Sequence, residues 1–335
     1  MPGDPGSDDL VLLEALYWWG IPTLFRCPAN PDPAACDIAL VGVPHSSGNG
    51  STERDQHLGP RAVRNVSAHY RRAHRHFGIV PWDHARINDL GDVPLPEAMD
   101  NEACVARISD YFTRVAAAGT RTVSIGGDHA VTGAIVRGLA NNDSPLTGGG
   151  KVALLHLDAH TDTYENIPHW MGAKDSAAHW AAYLVREGRV DGSHSVQIGM
   201  RGNPRTLAWH DKDDELGYRV VDIDEYRDMG LEAACALIRK RIGDLPVYIS
   251  FDLDCLDPTV APAVSNLEVG EKGFDLHEAT RLVRSVRGLN MIGGDVVCLM
   301  PTKDNPNNMT AMAAAHIAFE MVALMADRRA AQTAS

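Results

Sequence analysis

Short apolar runs bounded by turn residues recur along this chain, and between them apolar residues return at every third or fourth position. The runs Asp37 to Val43, Arg121 to Ile125, Val152 to Leu157, Ser195 to Ile198, Val247 to Leu253 and Asn290 to Val297 have the length and residue types of strands. The segments Glu102 to Ala118, Val131 to Ala140, Ala177 to Glu187, Leu231 to Ile242, Leu276 to Val286 and Asn308 to Met325 carry the helical period. Strands alternating with helices predict an α/β fold, with a central, mainly parallel sheet covered by helices on both faces. No repeat or long linker interrupts the pattern. The polar stretch Asn141 to Gly150 reads as a loop, too short to separate domains.

Composition narrows the functional classes. With 335 residues, 44% of them apolar and 22% charged, the chain is long and apolar enough to bury a sizeable core. Its formal charge of -13 disfavours a nucleic-acid or anionic-membrane partner, because phosphate binding needs Lys and Arg gathered on one face. The densest basic cluster, Arg71, Arg72 and Arg75 among His69, His74 and His76, is expected on the solvated face of a helix. Cys27, Cys36, Cys104, Cys235, Cys255 and Cys298 show no CxxC spacing, and several sit in apolar runs, which suits a reducing compartment. The acidic, Pro- and Gly-containing start lacks the pattern of a signal peptide, and no apolar run approaches the roughly 20 residues of a membrane span. A cytoplasmic location is expected.

In open parallel sheets the ligand site lies beyond the carboxyl ends of the strands, and three strand ends here are acidic or His-bearing. One apolar strand runs into Asp158-Ala159-His160-Thr161-Asp162, and another into Asp252-Leu253-Asp254. Residues i and i+2 of an extended chain share a face, so each pair is expected to converge, with Asp162 following if the chain stays extended. The third end, Gly126-Gly127-Asp128-His129, allows a tight turn that delivers His129 to the start of a helix. That many carboxylates in one cleft repel one another unless cations neutralise them, and two histidines complete a mixed N/O donor set. A dinuclear metal site follows, and with it hydrolysis by a metal-activated water. His156 is expected to be a hydrogen-bonded core residue, and Asp128 and Asp257 to be structural.

These motifs, with Ser250-Phe251-Asp252-Leu253-Asp254 continuing to Asp257-Pro258, resemble the metal motifs of the ureohydrolases, the arginase and agmatinase family. The resemblance extends through Trp19 to Thr23, Leu58 to Arg64, Leu90 to Val93 and Gln197 to Gly202, and is closer to agmatinase than to arginase. It implies a three-layer αβα sandwich and one domain over 1–335, with 1–35 as an N-terminal extension packed at a subunit interface. It also implies a homo-oligomer, trimer or hexamer, or a heteromer with a related chain. His129, Asp158, Asp162 and Asp252 would hold one divalent ion, and Asp158, His160, Asp252 and Asp254 the other. The ions would be Mn²⁺ by family default, with Ni²⁺ as the alternative. Asp162 would orient a bridging hydroxide that attacks the trigonal amidine carbon of a small cationic guanidine-type substrate.

Against that pattern the substrate pocket departs in three places. Where the family has a guanidinium-binding carboxylate this chain has Cys298, which removes a charge-assisted fork partner. The family's pocket histidine aligns with Ala177; His179, two residues on, is the candidate proton shuttle, with an exposed helix position as the alternative. The segment Ala263 to Glu268 keeps only its final acid, so Glu268 is expected to meet a cationic substrate. The loop Pro44 to His57 offers His45, Asn49, Glu53 and Arg54 as further contacts, with plain solvation as the alternative, and Trp170, after the second metal motif, would supply an apolar or cation-stacking wall or else pack in the core. The expected substrate is therefore a small or alkylated guanidine, a biguanide or a guanidino acid, with ordinary agmatine hydrolysis as the alternative. A third reading is a metal-binding partner subunit of a heteromeric enzyme.

Overall fold

The computed structural model describes residues 20–49, 54–165, 169, 172–204 and 206–334. Its strands are β1 (Ile38–Gly42), β2 (Ile87–Asp92), β3 (Arg121–Ile125), β4 (Ala153–Leu157), β5 (Val196–Met200), β6 (Arg219–Asp222), β7 (Val247–Asp252) and β8 (Met291–Val297). All pair in parallel in one sheet of order β2-β1-β3-β8-β7-β4-β5-β6. The helices are α1 (Gly59–Ser67), α2 (Pro81–His84), α3 (Asn101–Ala117), α4 (Ala130–Leu139), α5 (Trp180–Arg186), α6 (Asp211–Leu216), α7 (Ile223–Met229), α8 (Leu231–Ile242), α9 (Leu276–Arg284) and α10 (Met309–Ala334).

The alternation of side chains along each strand divides the interior into two cores. Ile38 and Leu40 of β1 pack with Leu155, Ile249 and helices α1, α8, α9 and α10, while Ala39 and Val41 pack with Leu154, Tyr248 and helices α3, α4 and α5. Both sheet faces are thus covered, which gives the three layers. Gly138 lets α4 approach α3 closely, since a Cβ there would lie 2.6 Å from the Ser109 carbonyl oxygen. Asp275 accepts the Glu278 N–H while the Glu278 carboxylate accepts the Asp275 N–H, a capping box that opens α9.

The two strands that the apolar pattern misses, β2 and β6, are the two edges of the sheet. β2 contains Asn88, Asp89 and Gly91, and β6 is four residues long with Arg219 and Asp222 at its ends. An edge strand needs less apolar cover, so its sequence reads as a loop.

Other boundaries also differ from expectation. Ala177 to His179 form a turn, and α5 begins at Trp180. Residues 70–80, with the basic cluster, are turns and not a helix. There His74 is buried, with Nε2 3.0 Å from a Glu320 oxygen, and Arg284 grips the same carboxylate with bonds of 2.7 and 2.6 Å. The C-terminal helix also overturns the expectation that no apolar run nears membrane-span length. Met309–Thr333 is long and apolar enough to span a membrane by composition, yet 83% of its apolar window is buried among the other helices and the sheet. Of the N-terminal segment, residues 1–19 lie outside the described residues, while Leu24, Phe25 and Cys27 are buried in the chain's own core.

Candidate metal centre

Strands β3, β4 and β7 are three of the four in the middle of the sheet, β4 beside β7 and β3 one strand further on across β8, and at or just beyond the end of each stands an aspartate whose carboxylate turns back on the chain. Asp158 accepts the His160 N–H at 2.7 Å, Asp252 the Asp254 N–H at 2.9 Å, and Asp128 the Ala130 N–H at 3.0 Å. These are Asx turns, which short polar side chains favour because they satisfy a backbone donor two residues on. The extended alternation expected at Asp158 to Asp162 and Asp252 to Asp254 is therefore corrected. β4 stops at Leu157 and Leu253–Cys255 is a 3₁₀ turn, so the turns gather the side chains. Asp162 lies at φ 53°, a left-handed conformation that brings its carboxylate back to the cluster.

The result is two adjoining groups. His129 Nδ1 lies 3.0 Å from Asp158 Oδ2, 3.0 Å from Asp162 Oδ2 and 3.1 Å from Asp252 Oδ2. His160 Nδ1 lies 3.3 Å from Asp158 Oδ1 and 3.2 Å from Asp254 Oδ2. Asp158 presents one oxygen to each histidine. Despite its three oxygen neighbours, the buried His129 Nδ1 has no hydrogen-bond partner, as befits a donor atom aimed at a shared point and not at any one carboxylate.

The electrostatics mark that point as a place for positive charge. Burial opposes protonation of His129, but the close carboxylates of Asp158, Asp162 and Asp252 prevail and hold its imidazole well above the ordinary range. Burial, joined by the charges of Asp252 and Asp158, pushes the Asp254 carboxyl far up. Repulsion among buried carboxylates of this kind is what bound cations relieve. The donor set, carboxylate oxygens with two imidazole nitrogens, fits divalent ions.

Support comes from behind the cluster. His129 Nε2 meets Ser250 Oγ at 2.8 Å, and Ser250 donates to Asp295 at 2.8 Å, so Ser250 must accept from Nε2 and Nδ1 is left without a proton in the neutral ring. Thr132 and Tyr248 donate to the same Asp295 at 2.8 and 2.7 Å. His156 is buried and hydrogen-bonded as expected, but its Nε2 bonds Asp158 at 2.7 Å, which ties it to the cluster, while Gln197 donates to its Nδ1 at 3.1 Å. Trp180 donates its indole N–H to Asp162 at 2.8 Å and lays its ring 4.8 Å from that of His129. The sequence pattern singles out neither Trp180 nor Asp295. The available signal is chemical: a buried indole N–H needs an acceptor, and a buried strand aspartate needs donors.

The expected pocket residues fall in different places. Cys298 follows β8 at φ 68°, with its N–H bonded to the Gly127 carbonyl at 2.8 Å. Its thiol faces Asp252, and burial followed by the charges of Asp252 and Asp254 pushes its pKa well up. A ligand atom of Cys298 lies within 4.8 Å of those of His129 and Asp252. His179 is fully buried and not on an exposed helix face; its ring stacks on Tyr183 and its Nδ1 lies 2.7 Å from Ser176 Oγ. Glu268 has Oε1 3.4 Å from His160 Nε2. Asn49 is buried in the loop after β1, where its backbone N–H, with that of Gly48, bonds Asp128. His45 is buried too, bonded to Asn101 Oδ1 at 2.9 Å, and Arg54 is exposed. Trp170 and Glu53 lie outside the described residues.

The model of the arginase family matches residues 36–323. Among curated proteins, the chain is 38% identical over 319 residues to a guanidinopropionase of Pseudomonas aeruginosa, covering 93% of each chain. It is 33% identical to a mitochondrial guanidino acid hydrolase of Homo sapiens, covering 90% of this chain and 82% of that one. It is 35% identical to an agmatinase of Escherichia coli, covering 91% and 93%. Among solved structures, proclavaminate amidino hydrolase from Streptomyces clavuligerus superposes with a TM-score of 0.84 at 28% identity, covering 93% of this chain and 99% of that one.

Proposed function

Because the chain belongs to the arginase family, whose members are metal-dependent hydrolases of guanidino C–N bonds, we propose that it hydrolyses a guanidine-type substrate other than agmatine. Small or alkylated guanidines, biguanides and guanidino acids are the candidates. The observation that carries the reading is the pairing of a complete cluster with Cys298 against Asp252. The chemistry is supported by the six donors, and the departure from agmatine by a thiol where the family's fork partner would stand. Relatives named for guanidinopropionate and guanidino acids support the same substrate class.

His129, Asp158, Asp162 and Asp252 would hold one ion and His160, Asp158, Asp252 and Asp254 the other. Mn²⁺ is the first choice and Ni²⁺ the alternative, which the mixed oxygen and nitrogen donors support. Two such ions supply Lewis acidity and a water activated near neutral pH. Asp162 is the most exposed acid of the cluster, at 7% against 1–3% for Asp158, Asp252 and Asp254, so it is the one placed to take a proton from the attacking water and return it to the leaving amine. Trp180 orients it through the indole N–H and leaves its other oxygen for that exchange. The trimer or hexamer implied by the resemblance, its cytoplasmic location and the interface role of residues 1–35 belong to the same proposal. Six cysteines free of disulfides support a reducing compartment.

The test is release of urea, ammonia and amine from agmatine, arginine, guanidine, alkylguanidines, guanidino acids and biguanides, using apoprotein reloaded with Mn²⁺ or Ni²⁺. Turnover of a member of the proposed class with agmatine inert is expected. Preferential agmatine turnover would overturn the substrate reading, and silence across the panel would direct attention to a partner chain.

A further inference from the structure

The two histidines of the cluster both offer Nδ1 to the centre and are held from behind at Nε2, but the holders differ. Behind His129 stand Ser250 and Asp295, fully buried on β7 and β8 and fixed by Thr132 and Tyr248. Behind His160 stands Glu268, with Oε1 3.4 Å from Nε2, on the loop that leads to α9 and with its side chain one-third exposed.

We infer that Glu268 is a positioning residue: it accepts the His160 Nε2–H, so that Nδ1 faces the second ion, and thereby sets that ion's affinity separately from the ion beside His129. The inference rests on the dinuclear reading above. A carboxylate accepting the outer N–H of a ligating imidazole fixes both tautomer and ring orientation. Without an acceptor at Nε2, His160 can place its proton on either nitrogen, and only one of the two tautomers offers a lone pair at Nδ1.

The surroundings are shaped to keep the carboxylate there. Gly202 lies at φ +83°, and a Cβ on it would stand 2.4 Å from Glu268 Oε2, so this glycine makes the space that the carboxylate occupies. Its neighbour Arg201 bonds the carbonyls of Asp254, Cys255 and Leu256 at 2.5, 3.2 and 3.0 Å, and its charge also acts on Glu268. One short segment after β5 therefore steadies the chain that carries Asp254 and seats the acid that holds His160. Glu268 is flanked by the exposed Leu267 and Val269, so its hold is that of a surface loop and not of a packed strand.

Calorimetric titration of Mn²⁺ alone into apoprotein, with metal content confirmed by mass spectrometry, tests this in Glu268→Ala, Glu268→Gln and Gly202→Ala. Wild type is expected to take up two ions. In Glu268→Ala one of them should weaken by about 10- to 100-fold while the other is unchanged, as removal of such outer partners typically does. Gly202→Ala should follow it by displacing the carboxylate, and Glu268→Gln, which keeps an acceptor oxygen, should recover part of the affinity. At saturating Mn²⁺ the KM for substrate should match wild type. Unchanged affinities with a raised KM would make Glu268 a substrate contact and overturn this inference alone. A wild type that takes up no pair of ions would overturn the dinuclear reading together with it.

Discussion

At the scale of single residues, the most informative position is Cys298. It is a buried, non-glycine residue with positive φ, directly beyond a central strand and close to Asp252. If the missing fork partner explains the proposed discrimination against agmatine, Cys298→Glu should raise kcat/KM for agmatine by about ten- to a hundredfold, the worth of one charge-assisted bidentate contact. Steady-state kinetics of the two proteins on agmatine decide it, and an unchanged value would place the discrimination elsewhere. The residues that make up the cluster were legible because acidic and imidazole side chains crowd three strand ends. The way they converge was not, because a two-residue spacing looks the same in an extended strand and in an Asx turn. Trp180 stayed hidden for a related reason: within an Ala-rich apolar run an indole reads as packing, and only its hydrogen bond to Asp162 distinguishes it.

At the scale of elements, the six inner strands could be read from apolar runs, since both their faces are buried, whereas β2 and β6 at the edges could not. The loop of residues 70–80 is a second case. Its arginines suggested a solvated helix, but His74 turns inward and joins Glu320 of α10 and Arg284 of α9. Burial works against the Glu320 charge, yet hydrogen bonds and charge from His74 and Arg284 lower its pKa to about 2 from the ordinary 4.5. A depressed carboxyl pKa contributes stability that is present above 4.5 and lost as pH falls toward 2. Glu320→Gln leaves Arg284 without its charged partner and should cost about 3–5 kcal/mol near neutral pH, with the gap to wild type narrowing as pH drops through that window. Denaturant unfolding at several pH values measures it. A cost below about 1 kcal/mol at neutral pH, as for a surface pair, would show that the triad does not pin the loop to the two helices.

At the scale of the whole molecule, a parallel sheet brings the carboxyl ends of its middle strands to one edge, and helices cover both of its faces. Family membership, fold and cluster agree on a metal-dependent hydrolase of guanidino compounds, and the proposed role of Cys298 bears on which one. All of this depends on a pair of ions held by six side chains. Anomalous X-ray scattering from crystals grown with Mn²⁺ tests that most directly. Two peaks per chain are expected, one against His129 Nδ1 and one against His160 Nδ1, with Asp158 between them. A single peak, or peaks away from these residues, would contradict this.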